Sequence, residues 1–271
     1  MKTRTIIHCS DLHFGRGCRK ECVKGLLRKI ESVQPDAVIV SGDLTMRARN
    51  GQFKAARHFL ESISAPRLII PGNHDVPLFS LFMRLLRPFG NYNKWIEGLG
   101  AREIIFDEAA IFCLNTINYL RHQQGNVSRE DLRKTAEWLD AMAGVPWRIV
   151  VMHQHLANVP WRRRPGIIRD AAMIVNALAE YKAHAILCGH VHYHNVSPAS
   201  DFFPGVKRPI LLITSGTATH KRVRGREGET NSFNMLTFTA DQFSITPCYW
   251  IDEKQDYIPG ETKSFTREYF K

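Results

Sequence analysis

Ala37-Val38-Ile39-Val40-Ser41-Gly42-Asp43 is the stretch on which the reading of this chain turns. A continuous apolar run stopped by Ser-Gly-Asp describes a short strand buried on both faces that ends in a polar turn. The pattern recurs on either side. Thr5-Ile6-Ile7 leads into Ser10-Asp11-Leu12-His13, and Leu68-Ile69-Ile70 leads into Pro71-Gly72-Asn73-His74-Asp75. Between these runs, Val23 to Val33 and Phe53 to Ile63 carry helical spacing, seen in Val23, Leu26, Leu27 and Ile30 and in Phe53, Ala56, Phe59 and Leu60. Strands alternating with helices predict an α/β layered fold.

The alternation continues outward. Leu78 to Trp95 reads as an apolar, Arg-dotted helix, and Ile111 to Leu114 as a strand. Ser128, with Asp131 at the capping-box position, starts a helix that runs to about Met142. Arg148 to Met152 is a strand ending in His153, Arg169 to Lys182 a helix, and Ala185 to Cys188 a strand ending in Gly189-His190-Val191-His192. From about residue 193 helical patterns vanish. Pro209 to Thr214, Phe233 to Thr239 and Gln242 to Tyr249 read as antiparallel strands, with Ala240-Asp241 as a tight turn. No repeat or linker interrupts residues 1–271, which read as one domain; the stretch 249–271 could be an arm or a dimer contact.

Composition narrows the function classes. Apolar residues at 44% and charged residues at 23% exclude a disordered or collagenous chain. No apolar run approaches the ~20 residues of a membrane-spanning helix. Met1 to His8 lacks a signal-peptide core. The expectation is a soluble, cytoplasmic protein. Lys and Arg total 37 against 26 Asp and Glu, a net charge of +11. Such a surface suits phosphate-bearing partners, or is simple solubility charge. The six cysteines are too sparse for a disulfide scaffold, and no second pair completes a zinc site around Cys18 and Cys22.

The metal-binding residue types fall at the carboxyl ends of successive predicted strands, where open α/β sheets place their ligand sites. In order they are Asp11 and His13; Asp43; Asn73, His74 and Asp75; His153; and His190 and His192. Such donors suit manganese, iron or zinc. In an extended segment residues i and i+2 point the same way, which pairs Asp11 with His13 and His190 with His192. The glycines before Asp43, Asn73 and His190 allow sharp turns there. His155 would share a side with His153 and touch substrate, or be structural; His194 reads as an exposed strand residue. Arg162, Arg163 and Arg164 lie on a loop between Pro160 and Pro165 that could hold phosphate oxygens in forked geometry. Lys221, Arg222, Arg224 and Arg226 form a second basic loop. Leu78, Phe79, Leu81, Phe82, Leu85, Leu86 and Phe89, accompanied by Arg84, Arg87 and Lys94, could take a lipid tail, lie on a membrane surface, pack on the sheet or form a dimer contact.

The order Asp-x-His, Gly-Asp, Gly-Asn-His-Asp, His, Gly-His-x-His resembles the calcineurin-like metallophosphoesterases over residues 5 to about 220. The resemblance implies a four-layer α/β/β/α sandwich with mixed sheets and two divalent metals, manganese or iron foremost and zinc also accommodated. One metal would be held by Asp11, His13, Asp43 and His192, and the other by Asp43, Asn73, His153 and His190, with Asp43 bridging. It further implies His74 as general acid. Asp75, next in the chain, either orients the His74 ring or is a plain turn residue. Paired metals lower the pKa of a bridging water and supply hydroxide for in-line attack on phosphorus. The expected activity is a phosphodiesterase similar to cyclic nucleotide (class III) or glycerophosphodiester hydrolases. A lipid-linked pyrophosphatase of the UDP-2,3-diacylglucosamine type is the alternative, suggested by the apolar stretch and the basic loops. Nucleic acid fits the charge, but few aromatics interleave the basic runs. A scaffold that binds nucleic acid or membrane is the non-enzymatic alternative, which the complete motif set disfavours.

Overall fold

The computed structural model describes residues 2–78, 80–121, 123–157, 168–223 and 230–271. Two sheets carry the chain. The first runs β12 (Asp256–Pro259), β11 (Gln242–Ile251), β10 (Ser232–Phe238), β1 (Arg4–Cys9), β2 (Ala37–Val40), β3 (Arg67–Ile69), with β13 (Lys263–Thr266) also paired to β11. The second runs β4 (Glu103–Ile105), β5 (Ala109–Cys113), β6 (Trp147–Val151), β7 (Ala185–Cys188), β9 (Leu211–Thr214), β8 (Asn195–Pro198). Pairing is parallel from β1 to β3 and from β5 through β7 to β9, and antiparallel elsewhere.

Burial explains why the predicted runs become central strands. Every residue of β2, β6 and β7 is buried, as a strand covered on both faces requires. Ile6, Ile39 and Leu68 of the first sheet pack against Ile111, Ile149 and Leu187 of the second in one apolar layer. α1 (Lys20–Val33) and α2 (Asn50–Glu61) cover the first sheet through Leu26, Ile30, Phe53 and Leu60. α5 (Arg129–Ala141) and α6 (Ala171–Glu180) cover the second through Leu139, Ile174 and Leu178. The result is the α/β/β/α sandwich with mixed sheets that the family resemblance leads one to expect. Ser128 caps α5, its Oγ accepting from the Asp131 N–H at 3.0 Å. The 240–241 turn closes between Thr239 and Gln242, whose backbones bond at 2.9 Å.

Two expectations need correction. The helix over Leu78–Trp95 is two short ones, α3 (Leu81–Leu86) and α4 (Gly90–Ile96), because Pro88 cannot continue a helix. α3 is not packed on the sheet. Phe82 is 70% exposed and Leu86 63%. Phe79 lies outside the described residues. The stretch 249–271 folds back as β12 and β13 on β11, and Phe270 buries against Trp147 and His184. All six cysteines are free thiols. Among the described residues, no helix is long and apolar enough to cross a membrane.

Candidate metal centre

The strand ends converge on one edge of the sandwich. The loops after β1, β2 and β3 bring Asp11, His13, Asp43, Asn73 and His74; those after β6 and β7 bring His153, His190 and His192. The paired donors do face together, but not by extended geometry. Asp11 (φ 54°), His13 (47°), Asp43 (53°), His190 (70°) and His192 (59°) all adopt the left-handed region. Asp and His tolerate it better than most residues, yet each instance still costs about 1–3 kcal/mol. The loops are held there by one another. Asp11 N–H donates to Gly42 O (3.0 Å), His13 N–H to Asp43 O (2.9 Å) and His190 N–H to Asp11 Oδ2 (2.9 Å).

The three glycines serve different ends. Gly42 makes the turn, at φ 99°. Gly72 is extended, at φ −106° and ψ 177°, and is glycine for want of room. A Cβ there would stand 2.1 Å from both N and Oδ1 of Asp43. A Cβ on Gly189 would stand 1.8 Å from Ser10 Oγ.

Two donor sets result. In the first, the ligand atoms of Asp11, His13, Asp43 and His192 lie within 4.8 Å of one another. His13 Nε2 and His192 Nε2 are 3.0 Å apart, and Asp11 Oδ1 is 3.0 Å from His192 Nε2. In the second, Asp43, His153 and His190 meet the same criterion, and Asn73 joins them. Its Oδ1 lies 3.1 Å from His153 Nε2 and 2.8 Å from His190 Nδ1. Asp43 belongs to both sets, with Oδ2 3.5 Å from His13 Nε2 and Oδ1 3.3 Å from His153 Nε2. Backbone carbonyls orient the outer ring nitrogens. His153 Nδ1 bonds Ser41 O (2.8 Å), His192 Nδ1 bonds Arg222 O (2.6 Å) and His13 Nδ1 bonds Thr45 O (3.4 Å). Such bonds fix tautomer and orientation in metal-ligating histidines.

The donor chemistry fits divalent cations. Among the described residues, Asp11 Oδ1 is buried with no hydrogen-bond donor assigned to it, although two imidazole nitrogens crowd it. Oxygen and imidazole donors of this mix suit manganese, iron or zinc. Burial lowers the His153 ring, but the Asp43 carboxylate outweighs it and raises the ring to about 9. His13 rises for the same reason beside Asp11 and Asp43. Burial pushes Asp11 and Asp43 up, but the surrounding histidines hold both below the usual carboxylate range.

His74 stands outside both sets. Its N–H donates to Asp43 Oδ1 (2.8 Å), and its ring meets His13 edge-on at 4.8 Å. The Met46 carbonyl accepts from His74 Nδ1 (2.9 Å) and from Arg47 Nη1 (3.1 Å). Burial lowers the His74 ring below its ordinary value. Asp75 does not orient that ring. Its carboxylate accepts from Leu44 N (3.0 Å), Thr45 N (2.8 Å), Thr45 Oγ1 (3.0 Å) and Gly72 N (2.9 Å), tying the Asp43 loop to the His74 loop. Burial, with the charge of Asp43, raises it to about 6.

The other candidates divide. His155 is 2% exposed and stacks on His190 at 5.4 Å, so it packs on a donor rather than lying displayed to substrate. His194 is not an exposed strand residue. It bonds Asn234 Oδ1 through Nδ1 at 2.8 Å, and burial pushes it down to about 4. Arg162, Arg163 and Arg164, with Arg224 and Arg226, lie outside the described residues. Arg222 takes part through its carbonyl, the acceptor for His192. Sequence reasoning overlooked Arg47 and His220, whose ring lies 5.1 Å from that of His13. Neither sits at a strand end, the one signal that marked the others.

The comparisons with known proteins agree with this geometry. A protein of Ruthia magnifica subsp. Calyptogena magnifica named "Probable cyclic nucleotide phosphodiesterase" is 25% identical over 71% of this chain and 80% of its own length. The "Probable glycerophosphodiester phosphodiesterase GpdQ" of Arcobacter nitrofigilis is 21% identical over 82% of this chain and 76% of its own. The purple acid phosphatase PPD1 of yellow lupin (Lupinus luteus) superposes with a TM-score of 0.74 at 13% identity, covering 98% of this chain and 54% of that one, and so shares the fold. The family model described as calcineurin-like phosphoesterase matches residues 4–194, and this chain belongs to that family of metal-dependent phosphoric ester hydrolases.

Proposed function

We propose that the chain is a dinuclear-metal phosphodiesterase. Asp11, His13, Asp43 and His192 would hold one divalent cation; Asp43, Asn73, His153 and His190 would hold the other. Manganese and iron are the foremost candidates, with zinc also accommodated by this donor set. The observation that carries the reading is the shared carboxylate, with Asp43 Oδ2 facing His13 at 3.5 Å and Oδ1 facing His153 at 3.3 Å. Metals held by these residues would supply Lewis acidity toward phosphate oxygens and would activate water near neutral pH.

The chain's own residues supply the rest. The buried loops of Asp11, Asp43 and His190 are bonded to one another, so the donors are set before substrate arrives. His74, with Nδ1 turned to Met46 O, would carry its transferable proton on Nε2 and give it to the leaving oxygen. Protonation matters most for an alkoxide, the leaving group of a natural diester. The names of the two bacterial relatives support a cyclic nucleotide or a glycerophosphodiester as substrate. One observation favours a second reading, a lipid-linked pyrophosphate. The exposed Phe82, Leu85 and Leu86 of α3 lie beside Arg84 and Arg87, a few residues beyond the His74 loop.

Hydrolysis of bis(p-nitrophenyl) phosphate beside p-nitrophenyl phosphate, with manganese and with EDTA, tests the proposal. Diester turnover that EDTA abolishes is expected. Turnover of the monoester alone, or diester turnover indifferent to EDTA, refutes it.

A further inference from the structure

At the edge opposite the candidate metal centre, the starts of β6 and β7 open onto a cavity of about 380 Å³. Five to six residues of strand and loop separate Arg148 from His153 and His184 from His190, or roughly 15–20 Å at ~3.3 Å per residue. Its lining includes Arg148, Lys182, His184, Arg208, Arg267 and Lys271; Asp241 is the one acidic residue among the lining residues.

Arg148 makes the cavity unusual. It is only 5% exposed, and among the described residues its side chain has no hydrogen bond and no ion pair; its Nε is a buried donor without an acceptor. Asp140 is felt only at longer range, while Arg267 and Arg208 repel the Arg148 charge. Lys182, Arg208 and Arg267 likewise have no carboxylate within ion-pair distance among the described residues, whereas Lys271 pairs with Glu268 at 2.5 Å. Arg267 instead caps the Pro146 carbonyl at 2.9 Å and lies over the Trp147 ring. His184 Nδ1 accepts the Arg148 N–H at 3.0 Å, which leaves the ring proton on Nε2 as a further donor. Burial and the neighbouring arginines push His184 down to about 3, so it stays neutral.

Burial of Nε with no acceptor and no counter-charge nearby leaves the Arg148 guanidinium partly desolvated without compensation. Convergent cations around it repel one another. A dianionic group relieves both costs, and a planar guanidinium presents two parallel donors to phosphate oxygens. The cavity has the size and concavity of a small-molecule site rather than the flat face a duplex or a bilayer needs. We propose that this cavity binds a small phosphate-bearing anion, with Arg148 as its buried anchor and Arg208 and Lys182 at its rim. Inorganic phosphate and an organic phosphomonoester share the required chemistry.

Calorimetric titration of the metal-loaded, full-length protein with inorganic phosphate and with adenosine 5′-monophosphate, at constant ionic strength, tests this. Wild type, Arg148→Met and Arg208→Gln are compared. Both variants should lose at least tenfold in affinity at one site while their diester hydrolysis in phosphate-free buffer is unchanged. Equal losses for both ligands assign the site to phosphate itself, and a loss confined to the nucleotide assigns it to an organic monoester. In phosphate-free buffer Arg148→Met should also melt no lower than wild type, since it removes an unpaired buried charge. Should Arg148→Met fail to fold, Arg208→Gln decides alone. Wild-type affinity for both ligands in the folded variants overturns the proposal.

Discussion

Gly72→Ala sets two physical effects against each other at one atom. At φ −106° and ψ 177° the backbone is ordinary for alanine, so chain entropy alone predicts a gain of ~0.4–1 kcal/mol. The added Cβ, however, would lie 2.1 Å from Asp43 N and Oδ1, where 3.4 Å begins ordinary contact. Asp43 must shift by ~1 Å, and it is tied down by His13 N–H on its carbonyl (2.9 Å) and by His74 N–H on Oδ1 (2.8 Å). Overpacking of this kind costs about 1–3 kcal/mol. Each weakened hydrogen bond adds about 1 kcal/mol. The net expectation is a loss of about 2–4 kcal/mol in urea unfolding at unchanged m-value. Because Asp43 serves both donor sets, a shift of ~1 Å should also lower diester turnover by about 100-fold. Gly51→Ala is the control. It lies in α2 with nothing within 4 Å of a new Cβ, and should gain about 0.5–1 kcal/mol. If Gly72→Ala unfolds and turns over like wild type, the tight meeting of the two loops is not what demands glycine there, and the argument fails.

Other expectations follow from the same geometry. Asp43→Asn should lower bound metal at both sites together, read by elemental analysis after purification; loss of one equivalent only would deny the shared carboxylate. His74→Gln should keep its metal and lose about 10²–10⁴-fold in turnover of substrates with alkoxide leaving groups, with a smaller loss for p-nitrophenolate. Ser128→Ala should cost about 1 kcal/mol through the α5 cap at 3.0 Å, measured by chemical denaturation. Burial holds His8 down to about 3 and His194 to about 4 in the fold, against 6.5 ordinarily. The unfolded chain therefore binds protons that the folded one refuses. The contribution of these two rings to stability should be fully present above pH ~6.5 and decline as pH falls toward 4, by up to ~1.4 kcal/mol per pH unit for each histidine. A flat profile of unfolding free energy over that window would contradict the burial of both rings.

The apolar runs of β1, β2, β6 and β7 and their polar stops were legible because both signals are local. A strand covered on two faces needs only apolar residues, and the residue that leaves it needs only chemistry. The edge strands β4, β8, β12 and β13 were not legible. β4 has three residues, and β8 and β12 each end in proline, so their strand character comes from the partner they pair with. The helix expected over Leu78–Trp95 erred toward pattern and against Pro88.

The local sequence, then, determined the central strands β1, β2, β6 and β7 and which donors leave their ends. Tertiary structure decided everything that depends on distance between segments. It set the left-handed backbones that aim Asp11, His13, Asp43, His190 and His192, since those are held by hydrogen bonds between loops far apart in the chain. It turned Asp75 to the loop backbone and Met46 O to His74. It also gathered Arg148, Lys182, Arg208 and Arg267 around one cavity. No spacing in the sequence foretells that, because like charges come together only where the packing of a whole sheet edge compels them.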